Sequence, residues 1–457
     1  MIWTFAELAA LVDGQLTDTA QPARPSDGHY VSGVSIDTRS LRAGQIFVAL
    51  RAARDGHDFL SEAVTAGAAA VMVEPGRAAG MARSGVGVIE VADTAAGLWA
   101  IGRAARRRLS GPVVGVTGSV GKTSTKDLAA AALASIRTVA ASPRSYNNEL
   151  GLPLTLANAP DGCEVAVLEM GARGHGHIAR LCDLARPDIG VVTAVAEAHI
   201  EMLGDLDGVA RAKGELVEAL PPGGVAVLNG DDERVRAMGS RGRARVIYYS
   251  VPSRTSGAAR PADVVAENVR LDSELRPTFD VRSPWGSSEV RLEARGAHQV
   301  ANALAALSVA GVVGVDIARA AGALREAQVS PLRMELHRTR SGAALINDSY
   351  NANPASMIAA LRALADLQAC RRVAVLGAMA ELGDTSVAEH RRVAGVAQEL
   401  GIHVVAVGTS DYGPEPLQDQ SQLIEAVGQG GAEVAILVKA SRAAGLDAIA
   451  ARLIEEF

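Results

Sequence analysis

Thr117-Gly118-Ser119-Val120-Gly121-Lys122-Thr123-Ser124 is the stretch of sequence that decides the fold of this chain. An apolar run, residues 113–116, precedes it, and a run of good helix formers, residues 127–134, follows it. Strand, glycine-rich turn, lysine, hydroxyl and helix is the order of a phosphate-binding loop, where backbone N–H groups converge on phosphate oxygens. The lysine can reach the β- and γ-phosphates, and the threonine hydroxyl can ligate Mg²⁺. The stretch therefore predicts a nucleotide-binding loop in an α/β protein.

One position of this loop departs from the general pattern. Glycine is usual six residues before the lysine, and Val116 stands there, so Gly118 is the variant glycine. The alternative interpretation is a glycine-rich turn between a strand and a helix that binds nothing.

Lysine is rare in this chain, and that makes each lysine informative. Only four of the 45 lysines and arginines are lysines. An ammonium is a compact charge on a flexible stem, and its deprotonated form is a nucleophile; arginine provides neither. We predict chemical roles for Lys122 and Lys213 and interpret Lys126 and Lys439 as solvated surface residues. For Lys213, the residues alone favour the alternative of a surface lysine beside Glu215.

Length, charge and cysteine content set the class of protein. The chain has 457 residues, a formal net charge of −6 and three cysteines without metal-ligand spacing. These values favour about three domains in a reducing compartment and do not favour a nucleic-acid partner. The N-terminal residues do not resemble a signal peptide, and no apolar run is long enough to span a membrane. We therefore expect a cytoplasmic protein without membrane insertion.

The pattern along the chain predicts three domains of α/β class. Residues 1–88 form an N-terminal α/β domain, residues 89–313 a central P-loop domain with a parallel sheet, and residues 314–457 a C-terminal Rossmann-like domain. Predicted strands are residues 46–50, 70–73, 113–116, 165–168, 189–195, 225–228, 343–347, 373–376, 404–407 and 435–438; residues 60–69 are predicted as helix, residues 240–295 as a β-rich patch, and residues 311–315 and 328–331 as hinges.

Polar residues follow two apolar runs of the predicted central sheet. Glu169 ends the run 165–168, and His199 follows the run 189–195. Because ligands of an open parallel sheet bind at the carboxyl ends of its strands, Glu169 is a candidate Mg²⁺ ligand. His199 is a candidate ligand for a second cation or a phosphate. A helix cap is the alternative for Glu169, and a structural role is the alternative for His199.

Further candidates come from the second half of the chain. Asp348-Ser349-Tyr350-Asn351-Ala352-Asn353-Pro354 follows an apolar run and is typical of a loop that forms a site. Arg333 follows a predicted hinge and could stabilise a phosphoryl group during transfer. Asn302 opens an alanine-rich helix and is a candidate contact for adenine.

These residues resemble a known family. The phosphate loop and the single residues above fall in the order and spacing of the ATP-dependent Mur ligases of peptidoglycan synthesis, and the resemblance covers all three predicted domains. Within the family, residues 147–155, 169–171, 348–354 and 377–383 resemble the members that add D-alanyl-D-alanine. Residues 35–39, 47–50 and 55–59 resemble their UDP-sugar-binding domain, which the family places at residues 1–88.

The resemblance implies a ligase that uses ATP and Mg²⁺ and works through an acyl phosphate. The γ-phosphoryl group passes to the terminal carboxylate of UDP-MurNAc-tripeptide, and the amine of D-Ala-D-Ala then displaces phosphate. The expected partners are these two small molecules, and the protein is expected to be a monomer whose domains close over ATP. Another Mur-type or folylpolyglutamate-type ligase, or a regulatory P-loop ATPase, remains as the alternative.

The resemblance also implies roles for individual residues. The nucleotide is expected at Thr117, Gly118, Ser119, Val120, Gly121, Lys122, Thr123, Ser124, Asn302, Arg333, Asp348 and Asn351. Catalytic roles are expected for Lys122, Lys213, His199 and Arg333, and cation binding for Thr123, Glu169, His199 and, once carbamylated, Lys213. The sugar-peptide substrate is expected at Ser35, Thr38, Arg39, Asn147 and Asn148.

Overall fold

A computed structural model describes residues 2–17, 30–78, 81, 86–198, 200–252, 261–417 and 422–457. The chain divides into two compact units. The first unit comprises Met1–Val113, Arg137–Met170 and Arg180–Arg186, and the second comprises Val114–Ile136, Gly171–Ala179 and Pro187–Phe457. The division into three domains stays a prediction.

Helices and strands alternate along most of the chain. The first half contains β1 Trp3–Thr4, α1 Phe5–Leu11, β2 Gln15–Thr17, β3 Tyr30–Val31, β4 Val34–Ser35, β5 Ile46–Val48, α2 Leu60–Thr65, β6 Ala70–Val73, β7 Gly87–Glu90, α3 Thr94–Arg108, β8 Val113–Thr117, α4 Lys122–Ala134, β9 Val139–Ala141, α5 Gly151–Ala157, β10 Val165–Glu169, α6 His177–Ala185, β11 Ile189–Val192, α7 Ile200–Leu203, α8 Leu206–Glu218 and β12 Val225–Asn229. The second half contains α9 Glu233–Ala237, β13 Arg245–Ser250, β14 Val264–Leu271, β15 Pro277–Ser283, β16 Gly286–Arg291, α10 Gln299–Val313, α11 Ile317–Leu324, β17 Glu335–Arg338, β18 Ala344–Asn347, α12 Pro354–Asp366, β19 Arg371–Gly377, α13 Ser386–Glu399, β20 His403–Val407, α14 Leu423–Val427, β21 Val434–Lys439 and α15 Asp447–Glu456. Within the described ranges, no helix combines the length and apolar character needed to cross a membrane.

The first unit contains a five-stranded sheet in the order β2-β7-β6-β5-β4. Strands β4 to β7 are parallel, and β2 pairs with β7 in the antiparallel direction. Phe47, Val71 and Val88 are buried in one apolar cluster on this sheet. The first unit also contains the parallel pair β9 and β10.

Asn158 braces β4 against α5 in the first unit. Its Oδ1 accepts from the Val34 N–H at 2.9 Å and from Gln45 Nε2 at 3.3 Å. Its Nδ2 donates to the carbonyls of Val34, at 2.8 Å, and Leu154, at 2.9 Å. One amide side chain thus replaces the neighbour that the edge strand β4 lacks on this side.

Asn158→Ala is expected to lower the free energy of unfolding by about 2 kcal/mol, because both Val34 backbone groups lose their partner. Chemical unfolding followed by circular dichroism measures the change. Gln45→Ala is the control, since it leaves the two bonds between Asn158 and Val34 in place. Equal stability of the two variants would contradict the bracing role.

The second unit contains two sheets, and the first carries the order β16-β15-β14-β13-β12-β11-β8. Strands β8, β11, β12, β13 and β14 are parallel, and β15 and β16 continue the sheet in antiparallel pairing. The predicted β-rich patch at residues 240–295 is therefore an extension of the central sheet.

The other sheet of the second unit has the order β17-β18-β21-β19-β20, parallel except for β17. Alternate residues of its strands enter two different apolar clusters. Leu345 and Ile436 lie in one cluster with helices α14 and α15, and Ile346 and Leu437 lie in the other with α12 and α13. Both faces are therefore covered, which confirms the predicted doubly wound α/β class.

Two predicted elements are shorter in the structure than in the sequence interpretation. The helix expected at residues 60–69 ends at Thr65, because Gly67 adopts a φ of +89° and turns the chain into β6. The strand expected at residues 189–195 ends at Val192, because the backbone beyond it binds the phosphate loop instead of a neighbouring strand.

Candidate functional site

The predicted phosphate loop joins β8 to α4 in the second unit, and two of its positions admit only glycine. Gly118 has a φ of +148°, and a Cβ there would lie 1.9 Å from Thr193 Oγ1. Gly121 has a φ of +82°, and a Cβ there would lie 2.4 Å from Asn302 Oδ1. Both the backbone conformation and the neighbours therefore exclude a side chain.

The segment after β11 fixes the shape of this loop. Thr193 Oγ1 donates to the Val120 carbonyl at 2.5 Å, and the Ser119 N–H donates to the Ala194 carbonyl at 2.8 Å. The Ser119 hydroxyl donates to the Ala196 carbonyl and accepts from the Ala196 N–H, each at 2.9 Å. These bonds fix the backbone conformation of the loop, and a loop fixed in this way loses less entropy when it binds a ligand. Thr193 and Ala196 were not predicted.

Lys122 and Thr123 begin α4 at the positive end of the helix. Lys122 Nζ donates to the carbonyls of Gly118 at 2.5 Å and Ser119 at 3.3 Å. Thr123 Oγ1 accepts a hydrogen bond from Arg333 Nη2 at 2.8 Å. The structure therefore brings Arg333, 210 residues further along the chain, to the phosphate loop. Lys122 therefore lies over the loop in which it is expected to bind the β- and γ-phosphates.

Arg333 stands between two residues in the left-handed region of backbone conformation. Leu332 has a φ of +61° and Met334 a φ of +54°. The Arg333 guanidinium lies 4.3 Å from the centre of the Tyr350 ring, a distance typical of a cation–π contact. Asp348 accepts from the Met334 N–H at 3.2 Å. The predicted Asp348–Pro354 loop and Arg333 thus form one structure.

Lys213 lies on α8 and is only 1% exposed. The alternative of a surface pair with Glu215 is wrong, because Glu215 accepts from the N–H groups of Gly176 and Ala179 at 2.7 and 3.0 Å. Burial and the nearby Lys122 ammonium lower the pKa of Lys213 well below its usual range. The amine is therefore neutral at a pH where an exposed lysine is charged.

Lys126 and Lys439 are each 2% exposed, so their interpretation as solvated surface residues is wrong. Lys126 pairs with Asp127 at 2.5 Å, and Asp127 Oδ2 accepts from the N–H and the hydroxyl of Ser330 at 2.7 and 2.8 Å. This clamp ties one predicted hinge to α4. Lys439 pairs with Asp348 at 2.6 Å.

In the first unit, Glu169 ends β10 and is 1% exposed. Its Oε1 accepts from Asn147 Nδ2 at 2.8 Å, and its backbone N–H donates to Ser142 Oγ at 3.1 Å. Its Oε2 is buried and has no hydrogen-bond partner among the described residues. A buried carboxylate oxygen without a donor fits a hard cation such as Mg²⁺, which binds oxygen ligands.

Three other predicted residues have partners within the protein. Asn302 lies on α10, where its Oδ1 accepts from Thr125 Oγ1 at 3.3 Å and its Nδ2 donates to Gln299 at 2.9 Å. Asn148 Oδ1 accepts from the N–H groups at the start of α5, so it acts as a cap. The Asn351 carbonyl accepts from Lys439 Nζ at 2.9 Å. His199 lies outside the described residues, and a contact of Asn302 with adenine stays a prediction.

A cavity of about 650 Å³ opens in the first unit. Ser35, Asp37, Arg42 and Tyr146 are among the residues that line it. Ser35 is buried and bonds to the backbone of Asp37. The predicted Arg39 forms an exposed ion pair with Asp37 at 2.6 Å and, like Thr38, does not line the cavity.

The fold and the site define a P-loop α/β protein with a second, largely parallel sheet. Arg333, which precedes the first strand of that sheet, contacts the phosphate loop at Thr123. Family models for the Mur ligase middle domain and for the Mur ligase glutamate ligase domain match residues 116–310 and 332–456. The UDP-N-acetylmuramoyl-tripeptide–D-alanyl-D-alanine ligase of Mycobacterium tuberculosis is 40% identical over 434 residues, which cover 89% of this chain and 83% of the relative. The chain belongs to the Mur ligase family.

Solved structures agree with this assignment. The crystal structure of MurF from Acinetobacter baumannii matches with a TM-score of 0.84 and 28% identity over 99% of both chains. MurF from Thermotoga maritima, solved in complex with ADP, matches with a TM-score of 0.76 and 27% identity over 91% of this chain and 95% of that chain. The predicted resemblance and fold class are therefore confirmed.

Proposed function

We propose that this protein joins D-alanyl-D-alanine to UDP-MurNAc-tripeptide with the breakdown of ATP to ADP and phosphate. The product is the UDP-MurNAc-pentapeptide used in peptidoglycan synthesis. The observation that carries the proposal is the phosphate loop with Arg333 at Thr123, in a chain whose relatives bear the name of this ligase. Three further features support it: the loop fixed by bonds within the protein, the buried Lys213 amine with a lowered pKa, and the Glu169 oxygen that has no donor among the described residues.

The proposed ligation takes place in two steps. The terminal carboxylate of the tripeptide attacks the γ-phosphorus of ATP; a P–O bond forms to the carboxylate, and the bond to ADP breaks. The amine of D-Ala-D-Ala then attacks the activated carbonyl carbon, phosphate leaves as the C–O bond breaks, and the attacking amine gives up a proton. The first step is needed because a carboxylate is a poor electrophile without a leaving group.

The chain's own residues have distinct parts in this scheme. Lys122 and the loop amides hold the β- and γ-phosphates, and the Arg333 guanidinium opposes the negative charge of the group in transfer. Mg²⁺, when bound, neutralises phosphate charge and orients the oxygens. Glu169 of the first unit and Thr123 of the second unit are each proposed, independently, as an oxygen ligand for a cation. The cavity of the first unit is proposed to hold the uridine end of the substrate.

Lys213 is proposed to act as a carbamate. Its neutral amine attacks CO₂, a C–N bond forms, and one proton leaves, which gives a carboxylate-like group on a lysine stem. Such a group is an oxygen ligand for Mg²⁺, whereas an ammonium or guanidinium repels it. The buried position beside Lys122 supports this proposal, because burial and the Lys122 ammonium lower the pKa of the amine and so favour its unprotonated form.

Phosphate release from MgATP tests the proposed function. Purified protein is incubated with UDP-MurNAc-tripeptide and D-Ala-D-Ala, singly and together, and the products are analysed by mass spectrometry. Release that requires both, with the pentapeptide as product, is the expected result. Release with another amine in place of D-Ala-D-Ala would indicate a different ligase of the family, and release without either substrate would indicate a regulatory ATPase.

Gly121→Ala is expected to weaken nucleotide binding about 100-fold, because the added methyl group meets Asn302 and the φ of +82° is strained for alanine. Titration with ADP measures the affinity. Gly162→Ala is the matched control, since Gly162 has a φ of +70° with nothing within 4 Å of the added carbon. The loop interpretation fails if both variants bind ADP as the parent protein does.

A further inference from the structure

Two neighbouring strands of the sheet β17-β18-β21-β19-β20 end beside each other, and each has a charged residue at its end. Strands β18 and β21 are parallel, with Asn347 opposite Val438. Asp348 follows β18, and Lys439 is the last residue of β21. The register therefore places the carboxylate and the ammonium at the same edge of the sheet, which is where an open parallel sheet binds ligands.

The Lys439 ammonium binds three oxygens of a single loop. Its Nζ lies 2.6 Å from Asp348 Oδ2, 2.9 Å from the Asn351 carbonyl and 3.4 Å from the Asp348 carbonyl. The Lys439 side chain is 3% exposed, and that of Asp348 is 14% exposed. A charge-assisted bond at this depth is strong, and loss of one partner leaves the other charge buried.

The loop that Lys439 holds in turn holds Arg333. Asp348 Oδ1 accepts from the Met334 N–H at 3.2 Å, and the Tyr350 N–H donates to the Leu332 carbonyl at 3.2 Å. The Tyr350 ring supports the guanidinium at 4.3 Å. Both neighbours of Arg333 are non-glycine residues at positive φ, a conformation that persists only where surrounding contacts enforce it.

We propose that Lys439 is a positioning residue for phosphoryl transfer, which acts by fixing the Asp348–Asn351 loop and, through it, the direction in which Arg333 reaches Thr123. This inference rests on the proposed function, because that function supplies the phosphoryl group whose negative charge Arg333 opposes. The link needs lysine in particular. Three oxygens that converge from different directions suit a rotating ammonium, whereas a planar guanidinium matches acceptors that lie in one plane.

The first test compares Lys439→Met with Arg371→Met. Arg371 is the matched control, because it also binds two backbone carbonyls, those of Val427 at the end of α14 and of Gln429 just after it, both at 2.6 Å. Arg371 begins β19 and is therefore at the other end of the strands. Lys439→Met is expected to lower kcat about 30-fold, and Arg371→Met less than about threefold. Equal kcat values for the two variants would overturn the proposal.

A double-mutant cycle separates positioning from a general loss of stability. If Lys439 acts through Arg333, Arg333→Ala with Lys439→Met falls no further in kcat than Arg333→Ala alone. Losses that multiply would overturn the link. Lys439→Gln, which keeps an N–H donor without charge, takes the place of the methionine variant if that variant does not fold, with the same expected non-additivity.

Hydrogen exchange provides a readout that does not depend on catalysis. Peptides that contain Met334 and Tyr350 are expected to exchange at least about tenfold faster in Lys439→Met than in Arg371→Met. If the parent protein joins no substrates, the proposed function fails, and this exchange result still decides whether Lys439 fixes the loop. Unchanged exchange would overturn the inference even where ligation is observed.

Discussion

Lys213→Met is expected to lower the ligation rate at least about 1,000-fold, because it removes the amine that is proposed to become a cation ligand. The same variant is expected to be more stable than the parent protein in buffer free of CO₂. Burial and Lys122 lower the pKa of Lys213, so the folded state disfavours its protonated form. Methionine keeps the aliphatic packing without this penalty, and we expect the midpoint of thermal unfolding to rise by about 2–4 °C at pH 7.

The sign of the pH dependence follows from the lowered pKa. Above the ordinary lysine pKa the amine is neutral in both folded and unfolded chains, and Lys213 carries no penalty. As the pH falls, only the unfolded chain takes up the proton readily, so the folded protein loses stability until the lowered pKa is passed. The carbamate forms from the neutral amine, and activity at constant CO₂ is therefore expected to fall as the pH drops through that lowered pKa.

Chemical rescue distinguishes a carbamate from an ammonium at this position. Acetate or formate is expected to restore measurable activity to Lys213→Ala, because either supplies a carboxylate to the space left by the side chain. Lys213→Arg is expected to be inactive with or without these anions. An arginine variant that keeps more than about a tenth of the activity would show that positive charge alone suffices and would exclude the carbamate.

The second large effect is expected at Lys122. Lys122→Arg and Lys122→Met should both lower kcat/KM for ATP about 1,000-fold, although arginine keeps the charge. The Nζ atom lies within hydrogen-bond distance of two carbonyls of its own loop, and a planar guanidinium does not reproduce a compact ammonium at that point. The measurement is phosphate release with both co-substrates present.

Arg371→Met is a suitable control for the Lys122 variants as well, since it removes a cation that begins β19, outside the phosphate loop, and is expected to keep its activity. ADP titration then shows which phosphate group of the nucleotide the Lys122 ammonium contacts. Weakened ADP binding indicates a contact with the β-phosphate, and unchanged ADP binding confines the effect to the γ-phosphoryl group. An arginine variant with nearly full activity would contradict the assignment of Lys122.

The phosphate loop could be predicted because its information is local. Gly118, Gly121 and Lys122 are close in sequence, and their chemistry follows from conformation and charge at neighbouring positions. The bonds that shape the loop could not be predicted in the same way. Thr193 and Ala196 come from a distant segment, and an apolar run that continues past Val192 gives no sign that its backbone leaves the sheet.

The rarity of lysine indicates a specific role for all four lysines of the chain. Motifs in the sequence surround only Lys122 and Lys213, so the sequence alone predicts surface positions for Lys126 and Lys439. Their partners are Asp127, which is adjacent in sequence, and Asp348, which is 91 residues away. A buried lysine needs an anion from the same fold, and tertiary structure decides which anion it meets.

The burial of lysine has a practical consequence for chemical labelling. All four lysines of the chain lie within the described residues, and three of them are at most 2% exposed. Among the lysine side chains, only that of Lys122, in the phosphate loop, is therefore partly accessible to acylating reagents in the native protein. If the nucleotide binds as proposed, it covers that amine, and acylation of Lys122 would report on nucleotide occupancy. Endoproteinase Lys-C is expected to leave the folded chain nearly intact and to cut the unfolded chain at four places.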